Sequence, residues 1–322
     1  MPYLDGVSER RKASDSRKSK GFLWFIKRYG VGYSMLLPFV LLFFAFVVLP
    51  VFIAFGLSFT NYNMFRAPSF VGLQNYRLLL VEDKIFWTAM RNTIIFAGIV
   101  GPLGYFCSFF SAWVLNQLKF RNVFALIFYA PSICSGVAIS AVWLYFFSSD
   151  RYGLINNALI TMGFLDEPIL WVQDPQYILF VIMVISIWMS MGTGFLVFLA
   201  GLQSIDKSLY EAGAIDGISS RWQELKYLTL PQMKPQLIFG AITAVTNSFG
   251  VFDIAVSVSG LPSPNYAGHT IVAHLYDYAF IRFQMGYASA IATILFLMTF
   301  VLGRVIMAAL SEKDGKQGDR HA

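Results

Sequence analysis

Long apolar runs separated by short polar stretches dominate the sequence, at about residues 35–59, 92–115, 123–147, 177–200, 237–258 and 287–310. Each is roughly twenty residues or longer, enough for a helix to cross about 30 Å of hydrocarbon. The pattern predicts an all-α integral membrane protein with six transmembrane helices. The first run is too long for the apolar core of a cleaved signal and is read as a span, entered through Pro38 and kinked at Pro50. In the third run, Ala130-Pro131-Ser132-Ile133-Cys134-Ser135-Gly136 combines a helix breaker with small polar residues, as at a hinge or a discontinuous helix.

The polar stretches set the domain boundaries. Residues 1–32 form a basic tail, 33–310 the six-helix domain with a long inner loop at 201–235, and 311–322 a second tail. The segments near 60–91, 148–176 and 259–286 are rich in Asn, Tyr, Trp, Pro and Gly and read as ordered caps. Composition agrees: 57% of the 322 residues are hydrophobic and 13% charged, against roughly 25% charged in soluble domains. A soluble single-core enzyme is excluded.

The net charge of +6 has a side. With the N-terminus inside, eighteen of the 24 Lys and Arg lie on the cytoplasmic side and six outside, and six crossings return the C-terminus to the cytoplasm. Nucleic-acid binding is therefore not the first reading of this charge. Cys107 and Cys134 sit in apolar surroundings, which excludes a disulfide framework or a four-Cys metal site. No Gly-Lys-Ser/Thr tripeptide occurs, so ATP, if used, is hydrolysed by another chain. Six spans without a strong internal repeat are few for a secondary transporter, which implies a partner subunit.

Polar residues inside the spans are the candidates for a substrate pathway. In the fifth run, helical spacing puts Thr246, Gly250, Asp253 and Ser257 on one stripe with Asn247 beside it. The stripe serves either a solute-lined cavity or a hydrogen-bonded helix seam. The fourth run offers Ser186, Trp188 and Ser190; an indole beside hydroxyls and amides suits a pyranose, and Trp188 serves equally as a core or lipid-facing aromatic. Gly98, Gly101 and Gly104 read as close helix packing rather than a phosphate loop. His269 and His274 lack the further ligands of a zinc site, and no metal centre is expected. No His, Asp and Glu cluster points to a membrane enzyme. An ion-coupled transporter is favoured by Asp253 alone.

The inner loop carries the sharpest signal. Ser208 with Glu211, and Ser220 with Gln223, each have capping-box spacing. They predict two short helices, the first ended by Gly217 and the second bounded by Pro231. A helix–Gly–helix unit of this kind is suited to a partner's groove.

At these residues the chain resembles the permease subunits of binding-protein-dependent ABC importers, particularly the maltose-type sugar permeases. Their inner-loop signature is Glu-Ala-Ala, three residues, Gly, nine residues, then Ile-x-Leu-Pro. Glu211, Ala212, Asp216, Gly217, Leu230 and Pro231 match it; Gly213 and Leu228 depart from it, and ten residues separate Gly217 from Leu228. The resemblance extends to Leu37-Pro38, to Phe70-Val-Gly-Leu-Gln-Asn-Tyr76, to Arg91-Asn-Thr93 and to Asn265-Tyr-Ala-Gly-His-Thr270. It implies a type I importer permease fold in the bacterial inner membrane, with both termini cytoplasmic. The implied partners are a second homologous permease, two cytoplasmic ATPase subunits that bind ATP and Mg, and an external or periplasmic solute-binding protein. The loop carrying Glu211, Ala212, Gly213, Asp216 and Gly217 would be the coupling helix. Ser186, Trp188, Ser190, Asn247, Gly250 and Asp253 would line the path of a sugar, expected to be an oligosaccharide. A polyol, glycerol phosphate or other small solute on the same scaffold is the alternative.

Overall fold

The computed structural model describes residues 30–119 and 121–311. The expected tails at 1–32 and 311–322 fall almost wholly outside the described residues. The chain divides between Gly56 and Leu57 into two compact units.

Among the described residues, the first unit is one helix. α1, Gly30–Leu57, is apolar throughout. At Phe44–Val48 it widens into a π turn, in which the Leu49 N–H donates to the Phe44 carbonyl. Pro50 follows at once. Proline offers no N–H to the turn before it, and the wider turn accommodates that loss.

The second unit holds the remaining elements. A short hairpin pairs β1, Thr60–Asn61, with β2, Ser69–Phe70. It is followed by α2, Gln74–Arg77, and by α3, Lys84–Asn116. Asp83 caps α3 by accepting the Phe86 N–H at 2.9 Å. Next come α4, Arg121–Ile133, α5, Gly136–Phe146, and α6, Leu154–Thr161. α7, Pro175–Gln203, starts on Asp174 with Pro175 in its first turn. After the loop helices described below come α10, Lys234–Phe249, α11, Asp253–Ser259, α12, Ile271–Tyr276, and α13, Met285–Ser311.

Among the described residues, five helical segments are long and apolar enough to cross a membrane: α1, α3, α7, the α10–α11 segment and α13. The segment read as the third span holds two shorter helices, α4 and α5, parted at Cys134 and Ser135 where the Pro131 segment predicts a discontinuity. α3 and α7 are the most buried spans. Ile178, Ile182 and Ile185 recur at helical spacing on the buried face of α7 and pack with Phe96, Val100 and Trp171. A second cluster at the far end of α7 joins Phe195, Phe198 and Leu202 to Met233.

One expectation is corrected by the fifth span. The stripe from Thr246 to Ser257 requires one continuous helix, but α10 ends at Phe249 and α11 begins at Asp253. Gly250 closes α10, its N–H bonding the Thr246 and Asn247 carbonyls, and Phe252 leaves helical geometry at φ −137, ψ −64. The Val251 carbonyl freed by the break accepts the Thr270 hydroxyl at 3.0 Å. That bond from a distant loop is what a periodicity argument cannot see.

Candidate functional site

Two regions carry the residues singled out by the sequence. The first is the loop between α7 and α10. α8, Lys207–Ile215, is capped by Asp206, whose carboxylate accepts the Ser208 N–H at 3.0 Å. This corrects the capping box read at Ser208 and Glu211: the cap lies two residues earlier, leaving Glu211 free to face outward. The same hydrogen bonds hold the Asp206 carboxyl below its ordinary value.

α8 ends in a Schellman motif, with Ile218 N–H on the Gly213 carbonyl at 2.9 Å and Gly217 N–H on the Ala214 carbonyl at 3.3 Å. Gly217 takes φ +91, which a side chain would oppose. Ser220 and Gln223 form the capping box expected of them, at the start of α9, Arg221–Glu224. α9 continues through a π turn, Leu225–Thr229, to Leu230–Gln232. Pro231 therefore does not bound this helix. Leu230 N–H reaches back to the Leu225 carbonyl, the same accommodation of a Leu-Pro pair as in α1.

The two arms of the loop are locked together. Gly213 is buried, and a Cβ there would meet Leu228 Cδ1 at 2.8 Å. The Tyr210 and Thr229 hydroxyls lie 3.0 Å apart, and Thr229 donates to the Glu224 carbonyl at 3.2 Å. Glu211, Ala212, Asp216 and Gly217 are exposed. The loop thus presents a small acidic-and-apolar face on a rigid, doubly capped helix.

The second region is a cavity of about 410 Å³ between α3, α7 and the broken fifth span. Ser186, Ser190, Asn247, Gly250 and Asp253 all line it. Trp188 does not. It meets Trp143 of α5 edge-on, ring centroids 5.4 Å apart. Asn247 and Asp253 are exposed to the cavity side of the chain. The Ser190 hydroxyl donates to the Ile187 carbonyl at 2.7 Å. Ser186 Oγ is buried and, among the described residues, has no hydrogen-bond partner.

Residues not foreseen also line the cavity: Tyr105 and Ser108 from α3, and Phe239 from α10. Small polar residues at Gly101, Gly104 and Ser108 were the available signal, since they repeat at three- and four-residue steps on one face. Gly104 and Gly101 do allow close packing: a Cβ at Gly104 would overlap Ser190 Oγ, and one at Gly101 would lie 3.4 Å from Ser248 Oγ. Gly98 has nothing within 4 Å. It borders a larger recess of about 720 Å³, lined almost wholly by apolar side chains such as Ile94, Leu297 and Val301. That recess offers little to orient a polar solute.

The motifs outside the loop are structural clamps at the opposite end of α3. Asn92 Nδ2 donates to the carbonyls of Tyr266, Ala267 and His269 at 2.9, 3.1 and 3.0 Å. Thr93 Oγ1 accepts the Ile271 N–H at 2.9 Å. Asn75 Nδ2 donates to the Ser58 and Thr60 carbonyls. His274 Nε2 lies 2.9 Å from Asp83 Oδ2 and Tyr287 OH 2.7 Å from the same oxygen, while His269 Nε2 lies 3.3 Å from His274 Nδ1. Burial pushes His269 down to about 4, with His274 adding to the effect. Among the described residues no group of three or more ligands could hold a metal ion.

Comparison with known proteins places these features. Residues 100–314 match the family described as binding-protein-dependent transport system inner membrane component, and the chain belongs to it. It is 33% identical to the probable ABC transporter permease protein YesP of Bacillus subtilis, covering 87% of this chain and 90% of that one. It is 31% identical to the lactose transport system permease protein LacF of Rhizobium radiobacter, over 88% and 94% of the two chains. The fold is shared with a bacterial ABC transporter involved in import of the acidic polysaccharide alginate, with TM-score 0.75, 23% identity, and coverage of 90% and 98%. The chain is a multi-pass membrane protein with the ABC importer permease fold, and its relatives are transport subunits.

Proposed function

We propose that this chain is one permease of an ATP-driven importer for a sugar, with an oligosaccharide as its solute. It would pair with a second permease, dock α8 into one of two cytoplasmic ATPase subunits that bind ATP and Mg, and receive solute from an external binding protein. Both termini then lie in the cytoplasm. The observation that carries this reading is α8 itself. A capped helix fixed to its neighbour by Gly213–Leu228 and Tyr210–Thr229 exposes Glu211, Ala212 and Asp216 together, as a lever should. Ser186, Asn247 and Asp253 supply the hydroxyl, amide and carboxylate groups that pair with sugar hydroxyls, and relatives named for lactose and for trehalose/maltose transport favour that solute class.

The test is gentle purification from the native membrane, mass spectrometry of what co-purifies, and a screen of oligosaccharides for stimulated ATP hydrolysis and uptake. Recovery of a second permease and an ATPase is expected. Glu211→Ala should depress stimulated hydrolysis with the assembly intact. Transport by this chain alone, without ATP, would overturn the proposal.

A further inference from the structure

The loop that would meet the ATPase touches the membrane bundle through a pair of indoles. Trp222 of α9 lies 5.1 Å from Trp113 of α3, ring centroid to centroid, at an interplanar angle of 41°. Trp222 is otherwise largely exposed, at 64%. Trp113 stands near the end of α3 and packs on the cluster that contains Phe198 of α7. Phe198 in turn receives Phe109 at 5.6 Å and Tyr105 at 5.3 Å, both edge-on at 87°. Tyr105 and Phe198 are walls of the cavity.

These contacts lead from the loop to Trp113, through the apolar cluster it packs against, to Phe198 and Tyr105 on the cavity wall. The Trp222–Trp113 pair is tilted and the Phe198–Tyr105 pair edge-on, and aromatic side chains have few torsions in which to absorb a displacement. α8 is locked to the arm that carries Trp222 by Gly213–Leu228 and Tyr210–Thr229. A push on α8 therefore reaches Trp222, and Trp113 is where it enters α3.

We infer that the Trp222–Trp113 contact transmits movement of the coupling loop to the cavity wall, so that Trp222 is a positioning residue for coupling rather than part of the docking face. The inference rests on the importer reading above. Deleting the indole should leave docking and basal ATP hydrolysis in place while disconnecting hydrolysis from solute.

The experiment uses the assembled importer in lipid nanodiscs, with the oligosaccharide that the screen above identifies and its binding protein. Trp222→Ala is expected to lower the ratio of stimulated to basal hydrolysis about threefold or more, with basal rate and subunit stoichiometry unchanged, and Trp222→Phe to keep most of the ratio. Trp113→Phe combined with Trp222→Ala should lower it no further than Trp222→Ala alone, since both act on one contact. An unchanged ratio in Trp222→Ala, or fully additive losses, overturns the inference. A second readout needs no solute. Two indoles this close give an exciton couplet in the far-ultraviolet circular dichroism, so the difference spectrum of wild type minus Trp222→Phe should contain one. Its absence would mean that the contact does not exist in solution. Failure of the importer reading looks different: no ATPase co-purifies with the wild-type chain.

Discussion

A Cβ on Gly213 would stand 2.8 Å from Leu228 Cδ1, closer than side chains tolerate without movement. These are the two positions at which the loop departs from the family signature by residue type, and they touch. Loss of a methyl at 213 makes room for the longer reach of leucine at 228. The contact also sets the register of the second arm against α8.

Gly213→Val should therefore wedge the arms apart at a cost of about 1–3 kcal/mol, the usual range for overpacking. The expected result is a lower unfolding temperature and reduced stimulated ATP hydrolysis. Leu228→Ala in the same chain should restore part of both. Wild-type behaviour of Gly213→Val alone would show that the arms are not held by this contact.

Asn92 offers a separate test at the other end of the bundle. Its amide satisfies three carbonyls of the 266–269 segment from a position inside α3. Asn92→Ala leaves these groups without that donor, at about 1–3 kcal/mol. Limited proteolysis should then cut within residues 260–270 faster than in wild type. Equal cutting rates would show that the clamp is redundant.

Within the cavity, the structure separates two residues that the sequence grouped. Asn247 lines the cavity, and Trp188 packs on Trp143 outside it. Asn247→Ala should raise the half-saturating concentration of solute by about tenfold, the loss expected for one good hydrogen bond. Trp188→Phe should leave it unchanged. The reverse pattern in uptake assays would place the solute against Trp188 and Trp143.

What the sequence revealed and what it hid divide along physical lines. Apolar run length is set by the hydrocarbon, so α3, α7 and α13 were legible to within a few residues at most ends. Local turn chemistry was legible where the partners are neighbours in sequence, as at Ser220–Gln223 and Gly217. The break between Gly250 and Asp253 was not, because the Thr270 hydroxyl that satisfies Val251 lies 19 residues away. The two readings left open for Trp188 could not be separated for a related reason: its ring meets Trp143 of α5, a tertiary contact. Pro231 misled because a π turn upstream admits proline without ending the helix.

The last prediction concerns acid. Burial alone would raise the Asp83 carboxyl, but hydrogen bonds from His274, the Phe86 N–H and Tyr287 outweigh it and hold the group well below the usual carboxylate range. Burial and the neighbouring His274 hold His269 at about 4, against an ordinary 6.5. For His269 the unfolded chain takes up the proton first. Its contribution to stability is complete above about pH 6.5 and is lost as pH falls from there toward 4, with a slope of up to about 1.4 kcal/mol per pH unit. Asp83 has the same sign but acts lower: its contribution is present above the ordinary carboxylate value near 3.8 and is lost as pH falls below it. The unfolding temperature of the purified complex should thus fall between pH 7 and pH 5, before any carboxylate of ordinary value is protonated. His269→Gln should flatten that part of the profile and leave the steeper loss below pH 4 in place. A profile of the variant that still falls by the wild-type amount between pH 7 and pH 5 would assign the acid sensitivity to another group.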